Sequence, residues 1–303
     1  MLETENTKCG FVGFIGAPNA GKSTLMNYLV GTKVSIVSPK VQTTRSRVLG
    51  IAIHDQTQLV FIDTPGIFRP KKRLEKAMVA AAWQGAKDAD ILAVLVDSAR
   101  SKVKQETWDI INDLKETGRK AILILNKIDL IAKDRLLALT EELFESGVFT
   151  DVYMISATKG SGVEKLMDDL AERMPKSPWM YAEDQVSDMP MRLLAAEVTR
   201  EKLFLQLQEE LPYACAVETE EWENFKNGDV RVRQVIYVER ESQRAIILGH
   251  QGKRIKRIGL DARTELGEML DTKVHLKIFV KVRKNWTDDP DRYKYWGLEF
   301  DVD

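Results

Sequence analysis

The sequence predicts a doubly wound α/β domain followed by a smaller α+β domain. Three observations predict it. In the first 175 residues, short apolar runs alternate with helical periodicity: FVGFIG, QLVFIDTPG, DADILAVLVDSA, KAILILNKID and VYMISATKG. Around residues 174–190 this pattern breaks into MPKSPWMYAEDQVSDMP, with three prolines and mixed charge. Beyond it the periodicities run helix, strand, strand, helix, helix, strand. A chain of 303 residues also exceeds what one core usually serves. The expected domains are therefore 1–175 and 191–303, the second including the C-terminal tail, with a linker at 176–190.

The five apolar runs are apolar on both faces and separated by amphipathic helices, which is the pattern of a mostly parallel sheet covered on both sides. In such sheets ligands sit outside the carboxyl ends of the strands, and each run ends there in a polar loop containing Gly or Pro.

The first of these loops carries Gly16-Ala17-Pro18-Asn19-Ala20-Gly21-Lys22-Ser23, between the strand FVGFI and the helix TLMNYLV. G-x-x-x-x-G-K-S in that context is a phosphate-binding P-loop. Its glycines let backbone N–H groups curl around a β-phosphate at a helix N-terminus, Lys22 neutralises β and γ oxygens, and Ser23 ligates Mg²⁺. Gly16, Asn19, Ala20, Gly21, Lys22, Ser23 and Thr24 are the expected nucleotide contacts here. An ordinary Gly-rich turn is the bland alternative.

Asp63-Thr64-Pro65-Gly66 ends QLVFI. Asp63 can hold Mg²⁺ through water, and the Gly66 N–H can sense a γ-phosphate; alone, this could be merely a well-formed loop. Asn126-Lys127-Ile128-Asp129 ends AILIL. Asp129 can accept from the guanine N1–H and 2-amino groups, which adenine does not offer, and an unpaired buried donor costs about 1–3 kcal/mol. Lys127 would lie along the base and Asn126 would tie the loop to the P-loop, while Ser156-Ala157 can reach guanine O6 with its backbone. Four elements in order predict GTP and GDP as ligands and leave an ATPase or a metabolic phosphotransferase without an explanation for NKID. In the segment Ser35–Arg47, Thr44, in preference to Thr43, would complete the Mg²⁺ shell in the GTP state; a polar surface loop is the alternative. Lys22, Thr44 and Gly66 are the catalytic candidates.

With GAPNAGKST, QTTR, DTPG, NKID and SAT in hand, the chain closely resembles the bacterial Era GTPase family, in the TrmE-Era branch of translation-associated GTPases. The resemblance runs essentially the full length. It implies a slow GTPase acting in small ribosomal subunit maturation, with the 3′ end of 16S rRNA as target. Ras-type GTPases follow the D-x-x-G glycine with a glutamine that orients water; here Ile67 stands there and cannot. Relatives of that kind imply a K⁺ ion, with Asn19 as its side-chain ligand, and no finger arginine is evident in cis. Unassisted turnover is expected at about 10⁻⁴ to 10⁻² per second. Arg45, Arg69 and Arg73 lie near the switches, but spacing aims none of them at the phosphate.

In the second half, Gly249-His250-Gln251-Gly252 joins two helical segments, as in the G-x-x-G clamp of a type II KH domain on single-stranded nucleic acid. A lone G-x-x-G is weak. This one is followed by Lys253, Arg254, Lys256 and Arg257, and Arg244–Arg257 holds five Lys or Arg and no acid. Residues 273–284 repeat that count, and their alternation sends Val274, Leu276, Ile278, Val280 and Val282 one way and Lys277, Phe279 and Lys281 the other. Lys277 and Lys281 are expected RNA contacts, with a solvated strand face as the alternative. His250 could stack on a base or simply be exposed. Trp286 and Trp296 are expected to pack the tail against this domain.

Bulk properties set limits on these readings. Hydrophobic residues are 44% and charged residues 30%, and no stretch reaches the roughly 20 apolar residues of a membrane helix. The segment MLETENTK has no apolar core, so it reads as neither a signal nor a transit peptide. Cys9 and Cys215 read as reduced thiols of a cytoplasmic protein. The net charge of −1, with 25 Lys or Arg against 22 acids to residue 180 and 20 against 24 beyond it, confines any RNA site in the second half to local patches. The expectation is a monomeric GTPase. A membrane-surface or cell-cycle scaffold that uses the basic strand peripherally on anionic lipid is the competing reading; the short basic windows, with no basic amphipathic helix, count against it.

Overall fold

A computed structural model describes residues 7–302. By internal contacts the chain divides into two units: residues up to Ser35, Thr44–Asp188 and residues from Tyr293 onward; and Ile36–Thr43 with Met189–Arg292. The expected boundaries differ from this division at both ends.

The first unit is built on six strands, β1 (Lys8–Gly16), β2 (Val48–His54), β3 (Thr57–Asp63), β4 (Ile91–Asp97), β5 (Ala121–Asn126) and β6 (Phe149–Ile155). Their order is β2-β3-β1-β4-β5-β6. All neighbours are parallel except the β2–β3 hairpin, where Val48 faces Asp63. The sheet is covered by α1 (Lys22–Val30), α2 (Arg73–Lys87), α3 (Gln105–Thr117), α4 (Lys133–Phe144) and α5 (Val163–Arg173). Every residue of β3 and β5 is buried, as the unbroken apolar runs require of strands covered on both faces.

The stretch expected as a linker is fastened to this unit through residue 187. Gln58, buried in β3, accepts the Met180 and Tyr181 N–H groups at 2.9 and 3.0 Å and donates to the Tyr181 carbonyl. Further on, the Ile51 N–H donates to the Val186 carbonyl at 2.9 Å and the Ser187 hydroxyl to the Leu49 carbonyl at 2.7 Å.

The second unit contains α6 (Met191–Gln206), β7 (Ala216–Asn224), β8 (Val230–Val238), α7 (Glu241–Leu248), α8 (Lys253–Leu270) and β9 (Val274–Val282). This is the predicted order. β8 pairs antiparallel with β7 and parallel with β9. The core draws Ala196 and Leu203 from α6, Val217 and Ile236 from the sheet, and Ile247 and Ile258 from α7 and α8. The segment Ile36–Thr43 belongs here. The Val37 N–H donates to the Glu201 carboxylate at 2.7 Å. Lys40 donates to the carbonyls of Phe204, at 2.5 Å, and Leu207, which satisfies the last turn of α6. Arg200, almost fully buried, donates to the Thr43 carbonyl. After β9 the chain makes a short turn at Trp286–Asp288 and enters α9 (Pro290–Tyr295). Trp286 is fully buried, and the Arg292 guanidinium lies 4.0 Å from the Tyr237 ring centre.

Candidate nucleotide site and nucleic-acid interface

The loop from Gly16 to Gly21 turns sharply, with Gly16 at φ 155°, Asn19 at 66° and Gly21 at 99°. At Gly21 a Cβ would fall 2.2 Å from Asn126 Nδ2, so only glycine lets the base-side loop close on the phosphate loop. No side chain caps α1, which leaves its first N–H groups for an anion. Lys22 is buried, and its ammonium donates to the Gly16 carbonyl at 3.2 Å. Burial pulls its pKa down to about 8, only partly opposed by Asp63, and Lys104 lowers it further. Lys104 itself donates to the Pro18 carbonyl at 2.7 Å, a brace on the loop that no motif announced.

Below the loop, three predicted residues meet. The Ser23 hydroxyl donates to Asp63 Oδ2 at 2.6 Å, and the Thr44 hydroxyl lies 2.9 Å from Ser23 Oγ and 3.3 Å from the same carboxylate oxygen. Thr43 is elsewhere, its hydroxyl donating to the Lys40 carbonyl at 2.7 Å. Ser35, which sequence reasoning did not single out, also donates to Asp63 Oδ2, at 2.9 Å. Burial raises the Asp63 pKa, while Lys22 and the three hydroxyls oppose the shift. Asp63 Oδ1 is buried with no hydrogen-bond partner. A buried carboxylate with one unengaged oxygen beside two hydroxyls fits a hard divalent cation such as Mg²⁺, held by Ser23 and Thr44 with Asp63 behind.

At the base end Asn126 is the tie. Its Nδ2 donates to the Ala20 carbonyl at 2.9 Å, and its Oδ1 accepts the N–H groups of Lys127 and Ala157 at 2.8 and 3.0 Å. Lys127, at φ 68°, donates to the Asn19 carbonyl at 2.9 Å and to Asp97 at 2.8 Å. The Ser156 hydroxyl, with Lys159 at 3.5 Å, holds the Asp129 carboxyl below its ordinary range, so it stays an ionised acceptor. Asp97 and Lys159 were not legible beforehand, since neither lies in a motif.

Gly66 packs on the phosphate loop so closely that a Cβ would lie 2.9 Å from Pro18 Cα. Ile67 donates its N–H to the Gly16 carbonyl at 3.1 Å, and its side chain is buried in the core with Ile15, Ala82 and Val94. The side chain is turned into the core and offers no group to orient water. The three nearby arginines are engaged elsewhere: Arg69 with Asp109 at 3.2 Å, Arg45 against Trp296 and Arg73 against Phe300.

In the second unit, Gly249 (φ 68°) and Gly252 (φ 72°) bracket a single turn in which Gln251 also has positive φ. A Cβ at Gly249 would meet Arg254 Cβ at 2.8 Å, whereas one at Gly252 meets only Ile255 at 4.0 Å. His250 and Gln251 form this turn, and Lys253, Arg254, Lys256 and Arg257 follow it in the first turns of α8. Arg254 donates to the Ile246 carbonyl at 2.6 Å, and Arg257 pairs with Asp261 at 3.0 Å. Beside this loop a groove of about 260 Å³ runs between α8 and β9, lined by Ile255, Lys256, Gly259, Arg263, Leu276 and Ile278. Lys277 and Lys281 lie off it. Strand alternation puts them on the opposite sheet face, with Phe279, and Lys281 is bound to Glu220 at 3.0 Å. The groove floor is the apolar face of β9, which was expected to serve only the core.

Two family models match the chain, "50S ribosome-binding GTPase" over residues 11–127 and "KH domain" over residues 210–287. The chain is 58% identical to the GTPase Era of Sinorhizobium medicae over 97% of its own length and 94% of the relative's. It is 56% identical to that of Brucella suis over 98% and 96%. Among solved structures, Era in complex with MgGDPNP and nucleotides 1506–1542 of 16S ribosomal RNA superposes at TM-score 0.91, with 36% identity over 98% of this chain and 100% of that one. A tyrosine-to-alanine variant of Aquifex aeolicus Era bound to GDP·AlF₄⁻ gives 0.90 at 36% identity, with the same coverage.

Proposed function

The chain belongs to the GTPase Era family, and on that premise we propose that this GTPase is a switch whose KH unit binds the 3′ end of 16S rRNA during small-subunit assembly. The observation that carries the reading lies in the loop between α1 and β2. Ile36–Thr43 groups with the RNA-binding unit, and the next residue, Thr44, stands with Ser23 and Asp63 at the cation position. A segment that both a γ-phosphate and the KH unit hold can bias each through the other.

In hydrolysis, the bound Mg²⁺ would supply positive charge to the β and γ oxygens. Lys22 and the N–H groups opening α1 stabilise charge on the same oxygens. Thr44 and the Gly66 N–H complete the site only when a γ-phosphate is present. Asp129 selects guanine, and Asn126 and Lys127 hold the base loop to the phosphate loop. Ile67 leaves the attacking water without a side-chain partner, so turnover is slow unless a cation assists. We assign that role to K⁺ at Asn19; hydrolysis faster in KCl than in NaCl at equal ionic strength is the expected result, and equal rates would remove the assignment.

The RNA reading is tested by fluorescence anisotropy of the full chain at fixed salt, because phosphate contacts make affinity steeply salt-dependent. The probe is single-stranded RNA matching the 16S 3′ end, with GDP or a non-hydrolysable GTP analogue bound. Nucleotide-dependent binding that Gly252→Asp abolishes is expected, for a monomeric protein. Equal binding to scrambled RNA, or preference for anionic vesicles, would overturn it in favour of peripheral membrane association.

A further inference from the structure

Residues from Tyr293 onward follow the KH unit in sequence yet pack within the GTPase unit. Tyr293 is fully buried, and Trp296 and Leu298 are each 5% exposed. The Tyr293 ring meets Phe300 edge-on at 4.9 Å and lies 6.2 Å from Trp296. The three rings form a hook, and two arginines rest on it. The Arg45 guanidinium lies 6.0 Å from the Trp296 ring centre and that of Arg73 lies 4.4 Å from Phe300, both within cation–π range.

Arg45 adjoins one expected γ-phosphate sensor, Thr44, and Arg73 lies seven residues beyond the other, Gly66. Arg45, 2% exposed, directly follows Thr44, whose hydroxyl meets Ser23 and Asp63. Arg73 opens α2, the helix that follows Gly66. Farther along α2 the fit is loose, with a cavity of about 480 Å³ between Ala77, Ala80 and Ala81 and the chain at Trp296–Gly297. The grip is therefore strongest at the start of the helix, nearest Gly66.

The geometry points to Trp296 and Phe300 as positioning residues for GTP hydrolysis, acting through Arg45 and Arg73. Neither ring touches the nucleotide. Trp296 holds Arg45 in place and so limits the excursions of Thr44; Phe300 fixes the entry of α2 and so the path of the chain from Gly66. A GDP complex draws on Lys22, Asn126 and Asp129 and needs neither sensor. The tail therefore acts on the triphosphate state alone.

The test uses the full chain without RNA, so its outcome is separate from that of the RNA reading. The double variant Trp296→Ala/Phe300→Ala is compared with the ring-preserving Trp296→Phe/Phe300→Tyr for kcat and for GDP and GTP-analogue affinity. Loss of both cation–π contacts is expected to lower kcat roughly tenfold, to weaken the GTP analogue and to leave GDP affinity within about twofold, with most of the kcat recovered in the ring-preserving variant. An unchanged kcat, a parallel loss of GDP affinity, or failure of the ring-preserving variant to recover activity would overturn the assignment.

Discussion

Asn126 donates its side-chain N–H to the Ala20 carbonyl at 2.9 Å, across 106 residues of chain. The same buried side chain accepts two further backbone N–H groups, so Asn126→Ala strips three partners at once, two of them buried. Each such loss costs about 1–3 kcal/mol. GTP and GDP affinity should fall together by at least about tenfold, and the thermal midpoint should drop, as titration with fluorescent nucleotides and calorimetry will measure.

Asp129 discriminates by its acceptors. Asp129→Asn replaces one acceptor oxygen with a donor, which faces the guanine 2-amino group badly and the xanthine 2-carbonyl well. GTP affinity should fall roughly 100-fold or more while XTP gains. The carboxyl is held low by Ser156 and Lys159, so the wild-type preference for guanine should persist below neutral pH. Competition binding with the two nucleotides checks both statements.

Lys22 sets the alkaline limb. In the nucleotide-free site burial brings its pKa down to about 8, whereas bound phosphates favour the ammonium. Above that pH the free site has lost a proton that the complex holds. Binding then takes up a proton, and affinity falls as pH rises. Calorimetry at high pH in two buffers of different ionisation enthalpy should detect the uptake. The same depression means that the unfolded chain holds more protons than the folded one between about 8 and 10.5. Stability of the nucleotide-free protein should therefore rise with pH across that window.

The two glycines of the KH loop should fail differently. Gly249→Ala forces a Cβ against Arg254 at positive φ and should destabilise by about 1–2 kcal/mol. Gly252→Asp meets only Ile255 at 4.0 Å, at a positive φ that Asp adopts more readily than Ala. It should lower the denaturation midpoint less than Gly249→Ala does, while abolishing RNA binding by charge.

Installing a glutamine beside Gly66 should not create a Ras-type site. Ile67 is 5% exposed and packed among apolar residues, so Ile67→Gln buries an amide at a cost of about 1–3 kcal/mol. Lower stability without faster hydrolysis is expected, from parallel melting and phosphate-release assays.

The motifs of the nucleotide site were legible in the sequence because they sit at the carboxyl ends of β1, β3, β5 and β6, which one sheet gathers along the same edge. Ser35, Asp97, Lys104 and Lys159 were not, since each reaches the site through contacts that lie outside any motif. Alternation in β9 separated two faces correctly, but periodicity cannot tell which face borders a groove. Lys277 and Lys281, expected as RNA contacts, lie on the sheet face away from the groove, where Lys281 also pairs with Glu220. The prolines at 175, 178 and 190 mark the expected linker, and Gln58 and Leu49 tie the chain between them to the first unit through contacts that composition does not show. The packing of Trp296 near Arg45, 251 residues away in sequence, leaves no local trace.

Neither unit is a single stretch of chain: Ile36–Thr43 is lent to the KH unit, and the residues from Tyr293 onward are returned to the GTPase unit. During synthesis, which proceeds from the N-terminus at about 5–20 residues per second, the phosphate-binding strands emerge first. Arg45 and Arg73 emerge with them and wait for Trp296 and Phe300 until the RNA-binding half has been made. A nascent chain could thus acquire nucleotide before it acquires Trp296 and Phe300. The order of translation keeps the hook from closing on a protein that does not yet have its KH unit.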